Sequence, residues 1–250
     1  METFNIFWTG GFDSTYRICE ILAGGKGTVR PVYLIDKGRR SFLMELSAMV
    51  RLREAVSGRF NRGPSLMPLE VYLKEDFPPC DEIRKSFAAI KAAVHIGTQY
   101  EWLAQFSRDM SWKYGKIELC TQRHNPPAGW QLEVFDNPHS QKPCLNEGHA
   151  RCLFEHYLFP TLHLTKSDMK LNALKMGFYD IIRDTWFCHR PVGGLACGAC
   201  RPCNIARAER EDIRFAFLGR ERMLMQAACR KLGDILKGRS GRGETAFLSL

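Results

Sequence analysis

The chain has 250 residues, 45% of them hydrophobic, which is enough to bury one sizeable core or a main domain with a small appendage. No stretch approaches the ~20 consecutive apolar residues of a membrane span, and the first residues carry neither a basic leader nor a small-residue cleavage site, so a cytoplasmic protein with no membrane partner is expected. Ten cysteines without a secretory leader argue against a disulfide scaffold and for metal binding. The net charge is +9, and the residues from Arg201 onward hold eleven Lys/Arg against six Asp/Glu. That surplus suits a polyanionic partner such as a nucleotide or RNA, or equally a solvated helix face.

In chain order, Phe4 to Trp8 is a short apolar run closed by Thr9-Gly10-Gly11, a buried strand entering a glycine turn. Asp13-Ser14-Thr15 can cap the helix that follows, with Tyr16, Ile18, Cys19, Ile21 and Leu22 on its apolar face. Val32 to Ile35 is a second strand and Phe42 to Val56 a second helix. Strand, helix, strand, helix implies a parallel sheet with helices on its faces. Further on, the pattern predicts a strand over Leu69 to Leu73, one or two helices over Ile83 to Met110 broken near Gly97, and a strand over Ile117 to Cys120. The proline-rich span from Asn125 to Glu147 reads as a long loop. Helical pattern returns over Gly148 to Tyr157, then over Met169 to Met176 with Ser167 as its cap, and again over Asn204 to Leu236.

Thr9-Gly10-Gly11-Phe12-Asp13-Ser14-Thr15 stands between strand and helix, where an anion site is built. Glycines let backbone approach an anion, the helix start offers unpaired N–H groups, and the hydroxyls of Thr9, Ser14 and Thr15 add hydrogen bonds. There is no Gly-Lys-Ser/Thr ending, so this is no Walker loop. Asp13 would repel phosphate unless Mg²⁺ or a backbone contact occupied it. The competing reading is an ordinary Gly-Gly turn with a capping aspartate.

Cys188, Cys197, Cys200 and Cys203 follow one another with gaps of 8, 2 and 2 residues. Four thiolates suit a tetrahedral Zn²⁺, and with every position taken by sulfur the metal would be structural. An iron–sulfur cluster also uses four cysteines.

These motifs carry a family resemblance. The glycine loop resembles the Ser-Gly-Gly-x-Asp-Ser loop of the ATP-pyrophosphatase (PP-loop) superfamily, with threonine first. Thr185-Trp186-Phe187-Cys188 followed by Cys197-Gly198-Ala199-Cys200-Arg201-Pro202-Cys203 resembles the zinc signature of the 7-cyano-7-deazaguanine synthase family, QueC. Pro160-Thr161-Leu162-His163-Leu164-Thr165-Lys166 is similar to that family's Pro-Leu-x-x-Leu-Thr-Lys, and Asp36-Lys37-Gly38-Arg39-Arg40 to its Asp-Tyr-Gly-Gln-Arg. The resemblance implies a Rossmann-like nucleotide-binding domain over residues 1–182, a zinc-bearing helical segment over 183–250, and a homodimer. It also implies the reaction: ATP adenylates 7-carboxy-7-deazaguanine, ammonia gives an amide, and further ATP yields the nitrile used in making queuosine. The family's Arg-Asn-x-x-Phe is replaced by Thr98-Gln99-Tyr100-Glu101-Trp102, and Cys120-Thr121-Gln122-Arg123 stands where its Asp-x-Ser-Gly-Tyr-Pro-Asp-Cys loop belongs.

By the same resemblance Lys166, Asp13 and Ser14 are the catalytic candidates, with Lys166 stabilising charge as pyrophosphate leaves. Thr9 to Thr15, Asp36 and Arg40 would hold the nucleotide. Asp36 stands at the carboxyl end of a parallel strand, where it would bind ribose or metal or simply cap its loop. Arg40 would grip phosphate or lie on the surface, and Trp186 would stack on a purine-like ring or anchor the zinc segment. His189 and Arg190, just past the first ligand, have no fixed role. Other classes remain: a relative that joins the acid to a protein amine, a non-catalytic zinc-bearing nucleic-acid binder, or a thiolation enzyme using Cys144 and Cys152.

Overall fold

The computed structural model describes residues 2–124 and 126–208. The basic helix expected over Asn204 to Leu236 falls largely outside them.

The first strand, β1 (Glu2–Phe7), feeds helix α1 (Phe12–Ala23); β2 (Gly27–Ile35) feeds α2 (Phe42–Arg59). Then come β3 (Glu70–Leu73), a 3-10 turn at Lys74–Asp76, α3 (Asp81–Ala93), α4 (Gln99–Asp109), the short α5 (Ser111–Tyr114) and β4 (Ile117–Glu118). After α6 (Gly129–Val134) and α7 (His149–Phe154), β5 (Tyr157–Leu158) closes the sheet, followed by α8 (Lys166–Lys175), α9 (Tyr179–Arg183) and α10 (Arg201–Ala208).

All five strands are parallel, in the order β3-β2-β1-β4-β5. The chain winds outward from β1 through β2 to β3, then crosses back to place β4 on the other side of β1. The doubly wound sheet therefore reverses direction between β1 and β4, and that reversal opens a crevice at the strands' carboxyl ends. Alternation along the strands sends side chains to two separate cores. Ile6, Trp8, Val29 and Tyr33 pack with α1, α2, α8 and α9, whereas Phe7, Val32 and Leu34 pack with α3, α4, α6 and α7. Pro31 is tolerated inside β2 because β3 pairs only from Val32 onward, so one side of that residue needs no ladder partner.

Several local expectations are corrected. Helix α1 starts at Phe12 behind Gly11, so Asp13, Ser14 and Thr15 lie inside its first turn and do not precede it. Thr165, not Ser167, caps α8: its hydroxyl accepts from the Asp168 amide while the Asp168 carboxylate accepts from the Thr165 amide. Tyr157 belongs to a strand. The Asn125 to Glu147 span contains α6, and Val134 and Phe135 enter the core, where Phe135 meets Phe159 edge-on at 4.8 Å. Its two limbs are tied by a bridge between Phe135 and Leu145. Apolar anchors at intervals compensate there for poor local propensity.

The chain divides into two compact units, residues 1–186 and a second beginning at Phe187. Among the described residues no helix is long and apolar enough to cross a membrane.

Candidate functional site

Gly10 adopts φ +67°, and a Cβ there would lie 3.2 Å from both Ala48 and Met49 on α2. Only glycine lets the loop turn this close to that helix. Gly11 is extended and serves as the N-cap of α1, and as a glycine it brings no capping side chain of its own. The first-turn N–H groups of a helix have no intrahelical partners and carry the positive end of its dipole. The loop is braced from behind, since the Trp186 amide donates to the Gly10 carbonyl at 2.9 Å. Trp186 itself packs against the core shared by α1 and α2.

A cavity of about 190 Å³ opens at the carboxyl ends of β1, β2 and β4, the point where the sheet reverses. Thr9 and Ser14 line it from the glycine loop, Asp36 and Arg39 from the end of β2. Gln99, Tyr100, Trp102 and Cys120 close the far wall. These last come from the two segments that depart from the family pattern. A larger and more open cavity, about 940 Å³, lies on the β5 side and is lined by none of the loop residues.

The expected residues divide. Thr9, Ser14 and Asp36 face the cavity. Asp13 is outside the lining, though its negative charge acts on Tyr100 and Cys120. Burial, then that charge, pushes the Tyr100 phenol up to about 12. Burial holds the Cys120 thiol well up, which keeps it protonated and poorly nucleophilic. Asp36 accepts from the Gly38 amide at 3.1 Å and pairs with Lys74 at 3.2 Å, so it closes its own turn while lining the site. Lys166 stands over the Phe12 ring at 5.7 Å, which brings the ammonium to the glycine loop. Thr15 is fully buried and its hydroxyl accepts from the Trp8 indole at 2.9 Å, which makes it a core residue. Arg40 is exposed and outside the cavity lining; its neighbour Arg39 takes that place. Neither Cys144 nor Cys152 lines this cavity.

Residues the motifs did not single out complete the wall. Glu45 is 3% exposed and sits between Arg39, Ser41 and Tyr33. A glutamate on the inward face of α2 among Ala48, Met49 and Leu52 was the available signal, because carboxylates are rarely buried without paired partners.

The second unit holds the cysteines. The sulfurs of Cys188, Cys197, Cys200 and Cys203 all lie within 4.8 Å of one another, with separations of 3.9, 3.9 and 3.4 Å among the hydrogen-bonded pairs. Tetrahedral zinc with Zn–S near 2.3 Å places sulfurs about 3.8 Å apart. The Ala199 and Cys200 amides donate to the Cys197 sulfur at 3.4 and 3.3 Å, and the Cys197 amide to the Cys188 sulfur at 3.2 Å. Gly198, at φ +71°, makes that turn possible. These four residues can hold a metal ion. His189 and Arg190 beside them are exposed.

No family model matches the chain, and no curated protein matches it. Its own residues present a glycine loop and an aromatic-walled cavity at the reversal of a doubly wound sheet, and four cysteines able to hold a metal ion.

Proposed function

We propose that the chain is a QueC-like, ATP-dependent carbon–nitrogen ligase that activates a carboxylate, 7-carboxy-7-deazaguanine or a close relative. The observation that carries this reading is the glycine start of α1 behind Gly10 and Gly11, with Lys166 held over Phe12 beside it. Backbone N–H groups and an ammonium there suit a triphosphate, and Asp13 in the first turn of α1 would hold the Mg²⁺ that accompanies it. A carboxylate oxygen attacks the α-phosphorus, the bond to the β-phosphate oxygen breaks, and pyrophosphate leaves. Ammonia then displaces AMP from the acyl adenylate and loses a proton, giving the amide. Adenylating the amide oxygen with a second ATP and expelling AMP and a proton leaves the nitrile. Lys166 stabilises charge on the departing pyrophosphate. The flat faces of Trp102 and Tyr100 suit a fused heterocycle.

The test is nucleotide chromatography with mass spectrometry after incubation with ATP, Mg²⁺, 7-carboxy-7-deazaguanine and ammonia. AMP, pyrophosphate and the nitrile are expected. ADP as the only nucleotide product would overturn the mechanism. Because Gln99, Tyr100, Trp102 and Cys120 replace the family's own residues around the substrate, a second reading is that the acyl adenylate is passed to a protein amine; AMP without nitrile, and a mass-shifted protein, would select it.

For the second unit we propose one structural Zn²⁺ per chain on Cys188, Cys197, Cys200 and Cys203. Metal binding to such a site contributes folding free energy directly, so Cys200→Ser is expected to lose both zinc and soluble yield. Elemental analysis finding iron, or no metal, would refute it. A homodimer is the assembly this reading carries, checked by light scattering.

A further inference from the structure

We propose that Arg39, fixed by the buried carboxylate of Glu45, selects the acid substrate by gripping its carboxylate with both terminal guanidinium nitrogens. The proposal rests on the ligase reading and assigns a residue to its second substrate.

A buried carboxylate has to be saturated with donors or neutralised. Glu45 meets that need: Ser41 Oγ donates to Oε1 at 2.6 Å, the Tyr33 hydroxyl to Oε2 at 2.8 Å, and Arg39 Nε lies 2.9 Å from Oε1. Burial, then the Glu45 charge, holds the Tyr33 phenol far up, so it remains a donor. Arg39 Nε also donates to Ser41 Oγ at 3.0 Å. One edge of the guanidinium is thus spent on the protein. Its two terminal nitrogens make no hydrogen bond among the described residues, and the ion pair with Glu45 is approached through Nε.

Arg39 is also the only cation lining the cavity among the described residues. Lys74, close by, is committed to Asp36 and to the Trp102 face. The terminal edge of a guanidinium offers parallel N–H groups at the spacing of two carboxylate oxygens. Its charge is largely balanced by Glu45, which suits a monoanionic carboxylate better than a triphosphate. Trp102 and Tyr100 in the same wall supply flat surfaces for the ring that carries the acid.

The test is calorimetric titration of the full-length, metal-loaded protein with 7-carboxy-7-deazaguanine, 7-deazaguanine, indole-3-carboxylate and ATP. Arg39→Gln is expected to weaken the carboxylates by about 10- to 100-fold, the loss of a charged hydrogen-bonding partner, while 7-deazaguanine and ATP bind as before. Arg39→Lys keeps the charge without the fork and is expected to restore little. Glu45→Gln, a positioning variant checked for folding by circular dichroism, should lower the preference for carboxylate over 7-deazaguanine; a purely structural role would weaken both alike. Undiminished carboxylate binding by Arg39→Gln, loss of ATP affinity in its place, or a wild-type protein that binds no carboxylate would each overturn the proposal. If indole-3-carboxylate binds through Arg39 and the deazapurine acid does not, Arg39 keeps its role and the deazapurine reading falls. If carboxylates bind through Arg39 but ATP yields no AMP, the ligase reading alone falls.

Discussion

Two helices of the main unit begin in opposite ways. Helix α1 starts at a glycine that brings no capping side chain, whereas α8 starts with a reciprocal box in which Thr165 and Asp168 satisfy each other's amides. Both starts carry motifs that look like phosphate chemistry, yet only α8 has a side-chain capping box at its N-cap. The difference separates their roles: the open end suits an anion, and the closed end fixes the backbone from which Lys166 reaches Phe12.

Breaking the anchor of the open end should have the largest effect on stability. Arg17 on α1 grips Glu118 of β4 through two hydrogen bonds of 2.8 Å, and the side chains are 13% and 5% exposed. Glu118→Ala removes two charge-assisted hydrogen bonds and leaves the mostly buried guanidinium with Glu20 as its remaining carboxylate, 2.7 Å away, so a loss of about 3 kcal/mol is expected in urea unfolding. A loss below about 1 kcal/mol would show that the pair is effectively solvated.

Lys166→Ala tests the division from the closed end. It leaves the Thr165–Asp168 box intact, so stability should hold while the rate of pyrophosphate release falls by ~10²–10³. Equal rates in stopped assays of both proteins would remove Lys166 from the mechanism.

The two glycines of the open end should separate as well. Gly10→Ala forces a left-handed backbone and 3.2 Å contacts with Ala48 and Met49, so a stability loss of about 2 kcal/mol is expected. At Gly11 a Cβ would meet only Thr9 Oγ1 at 3.2 Å and the Trp186 carbonyl at 3.8 Å. Gly11→Val should therefore remain folded and lose ATP binding, as read by calorimetry; retained ATP affinity would place the nucleotide elsewhere.

The smallest expected effect sharpens the closed end. Thr165→Ala should cost about 1 kcal/mol, as for other lost caps. Hydrogen bonds from Thr165 lower the folded pKa of Asp168 below its unfolded value near 3.9. Its contribution to stability is therefore present above that pH and is lost as pH falls through the folded value. Since Asp168 is 43% exposed, the contribution is small. In Thr165→Ala the acid loss between about pH 5 and 2 should shrink; an unchanged acid limb would mean that Arg123, 3.8 Å away, sets the shift.

Much of the fold was legible because its signals are local. Apolar runs bounded by glycine marked β1 and β2, and 3.6-residue periodicity marked α2 and the pair α3 and α4, with the break at Gly97. The four cysteines were legible for the same reason: spacings of two residues turn neighbours onto one point whatever surrounds them. The cap of α8 was misplaced because Thr165 and Ser167 are equally good caps in isolation, and only the Asp168 geometry chooses between them. The core role of Val134 and Phe135 was hidden by the prolines around them.

What the sequence by itself determined is the alternating parallel architecture, the glycine loop at its first turn, and the quartet of cysteines able to hold a metal ion, all properties of residues close together along the chain. Tertiary structure alone decided which residues share a cavity. It moved Thr15 into the core, set Arg39 and not Arg40 at the wall, and brought Gln99, Tyr100, Trp102 and Cys120 opposite Thr9 and Ser14. Those neighbours come from the turn after β1, from α1, from the loop after β2, from α4 and from just past β4. Only the reversal of the sheet between β1 and β4 brings them together, and that reversal is set by packing between distant segments.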